Sequence, residues 1–190
     1  RQAYVVFPMI EESEEASMRA LEEGVRRYTE HFPELKIVHV HGKMKPEEKD
    51  EAMRSFSSGE AQLLLATTVI EVGVNVPNAS VMVIEGANRF GLSQLHQLRG
   101  RVGRGASQSY CILVTGNELG EEAKRRIAIM VETNDGFEIA EEDMRLRGFG
   151  EIDGTRQSGQ QLSLRIANPA LDGAMVQYTR ELAESILTED

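Results

Sequence analysis

The stretch Gln62-Leu63-Leu64-Leu65-Ala66-Thr67-Thr68 is an almost unbroken run of apolar residues that ends in two threonines. A strand with one face in solvent alternates apolar and polar residues, so a run without alternation predicts a strand buried on both faces. Four more runs of this kind occur along the chain, at residues 3–10, 36–41, 80–85 and 109–115. The sequence therefore predicts five short strands, most of them buried on both sides.

Amphipathic helical patterns lie between the predicted strands. The first has Ser13 placed to cap its start, Pro33 placed to stop it, and apolar residues at every third or fourth position between them. Those apolar residues are Met18, Leu21, Val25, Tyr28 and Phe32. Further helices are predicted from Pro46 onward, over residues 92–98 and over residues 119–131. Strands that alternate with helices predict an α/β fold, with a parallel sheet covered by helices on both faces.

Sheets of this class bind ligands at the carboxyl ends of their strands. That rule directs attention to the residues that follow three of the predicted strands, namely His41-Gly42-Lys43, Thr67-Thr68 and residues 86–90.

The pattern changes after about Thr133, where glycines punctuate a stretch of weak periodicity. One short helix is predicted at residues 139–146. A final amphipathic helix is predicted from Leu171, Met175, Tyr178, Leu182 and Ile186. We therefore divide the chain into a main domain, residues 1–133, and an appendage, residues 134–190.

The charge distribution limits the ways in which the protein can hold nucleic acid. The net charge of the 190 residues is −10, which argues against a grip over the whole surface by bulk electrostatics. Two basic islands interrupt the acidic body, and a polyanion could dock on either of them. They contain Arg89, Arg99, Arg101 and Arg104, and Arg145, Arg147, Arg156 and Arg165.

Cys111 is the single cysteine of the chain, so it cannot form an internal disulfide, which fits a reducing cytoplasm. Its apolar neighbours predict a buried strand rather than a reactive thiol. No apolar stretch approaches the roughly 20 residues of a membrane-spanning helix.

The most informative stretch is Gln97-Leu98-Arg99-Gly100-Arg101-Val102-Gly103-Arg104-Gly105. Arginine is always charged, and its planar fork suits phosphate oxygens, while glycines let the backbone turn tightly beside a ligand. Such arginines can stabilise the charge that spreads over a γ-phosphate during hydrolysis. The alternative is a loop that only neutralises acidic neighbours. The amphipathic helix before the loop and the strand after it favour the phosphate interpretation.

These residues resemble known motifs. The pattern Gln97-x-x-Gly100-Arg101-x-Gly103-Arg104 is similar to the sixth motif of superfamily 2 helicases, and residues 66–80 resemble their fifth. Residues 89–105 and His41-Gly42-Lys43-Met44 narrow the resemblance to the RecG family. Residues 145–159 resemble the translocation motif that RecG shares with the transcription-repair coupling factor. The resemblance therefore spans nearly the whole chain.

The resemblance implies a RecA-like parallel sheet with helices on both faces, followed by a C-terminal helical hairpin and loop. It also implies a role for each matching residue. Arg104, aided by Arg101, would be the arginine finger toward ATP, and Gln97 would sense the γ-phosphate. Gly73, Asn75 and Gly100 would border the nucleotide, although Asn75 replaces the aspartate usual in the family. Gly42, Lys43 and Thr67 would hold phosphates of the tracked DNA strand. Arg145, Arg147, Arg156 and Gln157 would pass the movement to duplex DNA.

Two motor parts are missing from the sequence, namely a Gly-x-x-x-x-Gly-Lys-Ser/Thr loop and an Asp-Glu-x-His box, which bind phosphates and Mg²⁺. We therefore expect the C-terminal half of an ATP-dependent double-stranded DNA translocase that remodels stalled forks and Holliday junctions and is inactive alone. The resemblance implies branched DNA as a partner, a first motor domain that holds most of the ATP and Mg²⁺ contacts, a wedge domain, and a place in the bacterial cytoplasm with the nucleoid.

Two other interpretations stay open at this point. The chain could be the motor part of a transcription-repair coupling factor, although the density of matches between Gly148 and Gly159 favours RecG. It could also be a non-catalytic interaction module that kept the fold and lost the chemistry. Asn75 supports that module, and the intact Gln97, Arg101 and Arg104 oppose it.

Overall fold

Five parallel strands form one sheet in the computed structural model, which describes residues 1–9, 13–67, 76–103 and 108–147. In chain order the strands are β1 (Gln2–Phe7), β2 (Ile37–Val40), β3 (Leu63–Thr67), β4 (Ala79–Ile84) and β5 (Tyr110–Leu113). Their spatial order is β2-β3-β1-β4-β5, so β1 lies in the centre. Each strand coincides with one of the predicted apolar runs, although β1 and β4 begin one residue earlier than their runs, and the predicted parallel sheet is confirmed.

Three helices connect pairs of strands as crossovers, and a fourth follows β5. They are α1 (Glu14–His31), α2 (Pro46–Ser57), α3 (Leu92–Arg99) and α4 (Glu121–Glu132), with a short 3-10 helix at Ala87–Arg89. The side-chain oxygen of Ser13 accepts a hydrogen bond from the Ala16 N–H at 3.2 Å, so the predicted cap of α1 is confirmed. Pro46 occupies the first turn of α2, as predicted, and needs no hydrogen bond there.

The two faces of the sheet are covered by different helices. On one face, Leu21 of α1 packs with Val5, Phe7, Leu63 and Leu65 in a buried cluster. On the other face, the ring of Phe56 from α2 lies 4.9 Å from the ring of Tyr4, centroid to centroid. Neighbouring residues of β1 thus point to opposite sides, and both sides are apolar. This burial on both faces explains why the apolar runs lack alternation.

The expectation of burial on both faces is wrong for β5. Tyr110 is 50% exposed and Ile112 is 48% exposed, and Cys111 is half-buried rather than buried. The reason lies in the order of the strands. α1 packs over β1, β2 and β3, whereas β5 lies at the opposite edge of the sheet, beyond β4. Burial still raises the pKa of the Cys111 thiol, so the prediction of a weakly reactive thiol is retained.

Contacts within the chain separate it into two compact units, Arg1–Glu132 and Thr133–Asp190. The described part of the second unit contains α5 (Gly136–Arg147), three residues longer at its start than the helix predicted at 139–146. Asp135 explains the earlier start, because its carboxylate accepts a hydrogen bond from the Phe137 N–H at 2.7 Å. The amphipathic helix predicted from residues 171–186 lies outside the described residues. Among the described helices, each is too short or too polar to cross a lipid bilayer.

Gly24 marks the closest approach of α1 to the sheet. A Cβ atom at this position would lie 2.2 Å from Cζ of Phe7, whose ring is buried. Real side chains do not approach so closely, so the ring or the helix must shift to admit even a methyl group.

We predict that Gly24→Ala destabilises the protein by about 1–3 kcal/mol through overpacking, although alanine favours an isolated helix by about 1 kcal/mol over glycine. Denaturant unfolding of the two proteins measures the difference. Gly116→Ala is the control, because a Cβ there meets nothing within 4 Å. Phe7→Leu, which withdraws the ring, should reduce the cost of Gly24→Ala. Equal or higher stability of Gly24→Ala would contradict the packing.

Candidate functional site

Three of the residues predicted to hold DNA lie at the carboxyl edge of the sheet. Val40 pairs with Ala66, so β2 and β3 end side by side, and the Gly42-Lys43 turn follows one strand while Thr67 ends the other. The Lys49 ammonium donates a hydrogen bond to the Gly42 carbonyl at 2.8 Å, which fixes the turn against α2. A Cβ atom at Gly42 would meet nothing within 4 Å, and Lys43 is exposed. The structure therefore brings these three residues together at one edge of the sheet, where Gly42 and Lys43 are exposed and Thr67 is buried.

His41 begins this turn, and its ring stacks on that of His39 with centroids 6.0 Å apart and planes 8° from parallel. Burial, then the neighbouring His39 and Lys49, hold the pKa of His41 below its usual value, and Glu22 and Glu48 act in the opposite direction. The neutral form is thus favoured, and His41 adds no positive charge to the edge at neutral pH. In the described ranges, no group of three or more His, Cys, Asp or Glu side chains is placed to hold a metal ion.

Residues 100–103, which we call the arginine loop, follow α3 at the opposite edge. Gly103 has a φ of +86°, which favours glycine, and a Cβ there would lie 3.8 Å from Ser109, the residue before β5. The loop therefore sits at the amino end of β5. The buried side chain of Val102 anchors it, and the Arg101 N–H donates to the Leu98 carbonyl at 3.0 Å. Gln97 and Arg101 are exposed, so the loop is fixed from within and presents polar groups outward.

Arg99 departs from the expectation that the first basic island serves a polyanion as a whole. Its Nη1 donates to the Met130 carbonyl at 3.0 Å, and its Nη2 lies 3.1 Å from Nδ1 of His96. The guanidinium is thus engaged inside the domain, between α3 and α4. The spacing of His96 and Arg99, three residues apart on one helix, is the sequence feature that predicts their contact.

The candidate residues form two groups at opposite edges of the sheet. Gly42, Lys43 and Thr67 lie at the carboxyl edge, while Gln97, Gly100 and Arg101 lie at the amino edge. A four-residue strand spans about 13 Å at about 3.3 Å per residue, so the groups are at least that far apart. The rule that ligands bind at carboxyl ends therefore locates the first group and not the second.

The other candidates lie in the second unit or outside the described residues. Arg145 is on α5, where it pairs with Glu141 at 2.8 Å, and the backbone of Arg147 ends that helix. The remaining five candidates lie outside the described residues: Gly73, Asn75, Arg104, Arg156 and Gln157.

Sequence reasoning missed Gln2, a buried polar residue that organises the amino edge. Its side-chain amide donates to the Ala61 carbonyl at 2.7 Å and also to the Phe56 carbonyl, and its oxygen accepts from the Asn78 side chain at 3.1 Å. These bonds join the starts of β1 and β4 to the end of α2. A single glutamine at the start of an apolar run gives no periodic pattern, so only its burial reveals the role.

Glu85, directly after β4, connects the carboxyl edge to α1. Its carboxylate accepts a hydrogen bond from the Tyr28 hydroxyl at 3.0 Å and pairs with Arg27, whose guanidinium lies 5.3 Å from the Tyr28 ring. Burial, followed by the charge of Glu85, raises the pKa of Tyr28 to about 12. These three side chains fasten the last part of α1 to the strand that leads toward the arginine loop.

Two family models match the chain in succession. Residues 1–106 match the helicase conserved C-terminal domain. Residues 133–190 match a model described as ATP-dependent DNA helicase RecG, domain 3, C-terminal.

Curated relatives match the chain over its whole length. It is 50% identical to the ATP-dependent DNA helicase RecG of Synechocystis sp., covering 100% of the chain and 23% of that protein. It is also 50% identical to the RecG of Escherichia coli K12, covering 98% of the chain and 27% of that protein. The chain thus spans about a quarter of the length of these relatives.

Solved structures give the same result. The chain is similar to RecG bound to a three-way DNA junction, with a TM-score of 0.67 and 42% identity over 92% of the chain and 22% of that structure. The yeast DEAD-box splicing factor Prp28 matches with a TM-score of 0.51 at 17% identity, over 86% of the chain and 39% of Prp28, and shares the fold.

We predict that Tyr28 ionises only near pH 12, well above its ordinary value of 10.0. A raised pKa means that the folded state keeps the neutral hydroxyl, so the stability from this contact is fully present below pH 10 and is lost as the pH rises through 12. Ultraviolet titration of the phenolate, with Tyr28→Phe to identify the signal, measures it. Glu85→Gln should move the transition to lower pH, and a Tyr28 that titrates at its ordinary value in the unmodified protein would refute the contact.

Proposed function

The chain belongs to the family of helicase conserved C-terminal domains, in its RecG branch, and from this premise we propose that it is the second half of a DNA-translocating ATP-driven motor. The full protein would move along double-stranded DNA and remodel branched DNA such as stalled forks and Holliday junctions. The observation that carries the proposal is the arginine loop, which is anchored by Val102 and presents Arg101 at the amino edge of the sheet.

The residues of the amino edge fit a nucleotide triphosphate. Arg101 offers a permanent positive charge, Gln97 offers a neutral donor, and the positive φ of Gly103 shapes a tight turn beside them. Anchored donors need little rearrangement when charge develops on a phosphate, which is where electrostatic catalysis gains most. ATP would supply the phosphoryl group whose transfer drives the motor. We assign Arg104, aided by Arg101, as the arginine finger, and Gln97 as the group that senses the γ-phosphate.

The other side of the nucleotide site would come from the first motor domain of the same polypeptide. The chain has no Gly-x-x-x-x-Gly-Lys-Ser/Thr loop, so we propose that the first domain holds most of the phosphate contacts and Mg²⁺. Gly73, Asn75 and Gly100 would border the nucleotide from this side. In sequence, Asn75 lies three residues before Asn78, which Gln2 ties to the amino edge.

The carboxyl edge fits the backbone of a DNA strand. Lys43 is exposed on a turn that Lys49 holds, and Gly42 leaves room for close approach of a phosphate. Phosphate contacts of this kind position nucleic acid without reading its sequence. We propose that Gly42, Lys43 and Thr67 hold the tracked strand.

Movement would reach the duplex through the second unit. There, Arg145, Arg147, Arg156 and Gln157 would form the hairpin and loop that push on double-stranded DNA. The match of residues 133–190 to RecG domain 3 supports this role over that of a transcription-repair coupling factor. The exposure of Gln97 and Arg101 supports a motor over a module without chemistry.

The two edges can be tested separately in the full-length protein. Arg104→Ala should lower kcat for DNA-stimulated ATP hydrolysis about 10³-fold because it removes the finger, and Arg101→Ala about 10²-fold, both without loss of DNA affinity. Lys43→Ala should instead weaken DNA binding and leave ATP turnover at saturating DNA nearly unchanged. Arg26→Ala, on the exposed side of α1, is the control. Turnover by Arg104→Ala within twofold of the unmodified protein would exclude the finger assignment.

A further inference from the structure

We propose that Arg99 is a positioning residue that fastens the arginine loop to the carboxyl end of α4, so that movement at the amino edge is passed on to the segment after α4. The inference rests on the proposed motor function and assigns to Arg99 a part in coupling rather than in phosphate binding.

The contacts of Arg99 join two helices at one point. Nη1 donates to the Met130 carbonyl of α4 at 3.0 Å, and Nη2 meets Nδ1 of His96, on α3, at 3.1 Å. Arg99 is itself the last residue of α3, and the arginine loop begins at the next position. The planar fork of the guanidinium therefore holds the last turn of α3, and with it the root of the loop, against α4.

The carboxyl end of α4 is stabilised by the guanidinium of Arg99, which belongs to α3. The last carbonyls of a helix have no partner within it, and a positive charge stabilises them. The last turn of α4 has no basic residue of its own, and Met130 and Ile129 there are buried. Burial raises the pKa of the Cys111 thiol, and the charge of Arg99 acts in the opposite direction. Arg99 thus supplies the charge that this helix end lacks.

The hydrogen bond between Arg99 and Met130 lies close in sequence to the start of the second unit, so it can transmit movement to that unit. Met130 lies two residues before Glu132, where α4 and the first unit end, and the second unit begins at Thr133. A displacement of the arginine loop on nucleotide binding or release would pull on the Met130 carbonyl through one side chain. Lysine carries the same charge but lacks the rigid fork, so it cannot hold both partners in the same geometry.

The test compares Arg99→Leu and Arg99→Lys in the full-length protein with Arg126→Leu. Arg126 is a matched control because it also joins α4 to a backbone carbonyl, that of Asn88 at 3.2 Å, but on the 3-10 helix instead of the arginine loop. For each variant we would measure kcat and KM for ATP on forked DNA, the base pairs unwound per ATP, and amide hydrogen exchange in the last turn of α4.

For Arg99→Leu we expect kcat to fall no more than about fivefold with an unchanged KM, while the base pairs unwound per ATP fall about tenfold. Exchange in the last turn of α4 should accelerate. Arg99→Lys should lie between Arg99→Leu and the unmodified protein, and it supplies the answer if Arg99→Leu does not fold. Arg126→Leu should keep the normal ratio of base pairs to ATP.

An unchanged ratio in Arg99→Leu, or an equal loss in Arg126→Leu, would overturn the proposal. A raised KM with a normal ratio would overturn it too, because Arg99 would then act on the nucleotide. An unmodified protein that is inert on forked DNA would refute the motor function itself. In that case hydrogen exchange still decides whether Arg99 fastens α4, and unchanged exchange in Arg99→Leu would exclude it.

Discussion

The pairing of β1 with β3 on one side and β4 on the other is the constraint on which the rest of the structure depends. Because every pair is parallel, all strands end at one edge and begin at the other. The turn after β2 and the end of β3 therefore meet at the carboxyl edge, and the arginine loop before β5 lies at the amino edge. Helices seal both faces of the sheet between them, with Phe7 and Leu21 on one side and Tyr4 and Phe56 on the other. Close-packed layers of this kind resist deformation, so the edges move together as one body.

That arrangement explains how half of a motor can be useful. In the function that we propose, one edge contacts phosphates of a DNA strand, and the other edge presents an arginine and a glutamine to a nucleotide that another domain mostly holds. If the main domain, residues 1–133, closes on the nucleotide as a rigid body, the carboxyl edge of its sheet must move by the same rotation. The side chains that tie the edges to the sheet then matter as much as the groups that touch ligands. Gln2 does this at the start of β4, Glu85 at its end, and Arg99 behind the arginine loop.

The sequence predicts most of this fold because both faces of the central strands are apolar and the helices carry clear start and stop residues, such as Ser13 and Pro46. It also locates the arginine loop, since glycine and arginine alternate there without an acid nearby. It does not predict the exposed face of β5, because strand order, and therefore which strand lies at an edge, is a property of tertiary pairing. The sequence also overstates the number of arginines in the first basic island that face outward, for a similar reason. Arg99 and Arg101 look alike in sequence, and only the position of α4 shows that Arg99 contacts a helix of the same domain while Arg101 is exposed.

We propose that this chain completes an ATP site without containing one. ATP hydrolysis by residues 1–190 alone, compared with the full-length protein, each with and without forked DNA, tests it most directly. We predict that forked DNA stimulates the full-length protein and that the chain alone is inert under both conditions. Hydrolysis by the chain alone, abolished by a substitution within it, would show that these residues form a complete phosphate site by themselves and would exclude the half-motor.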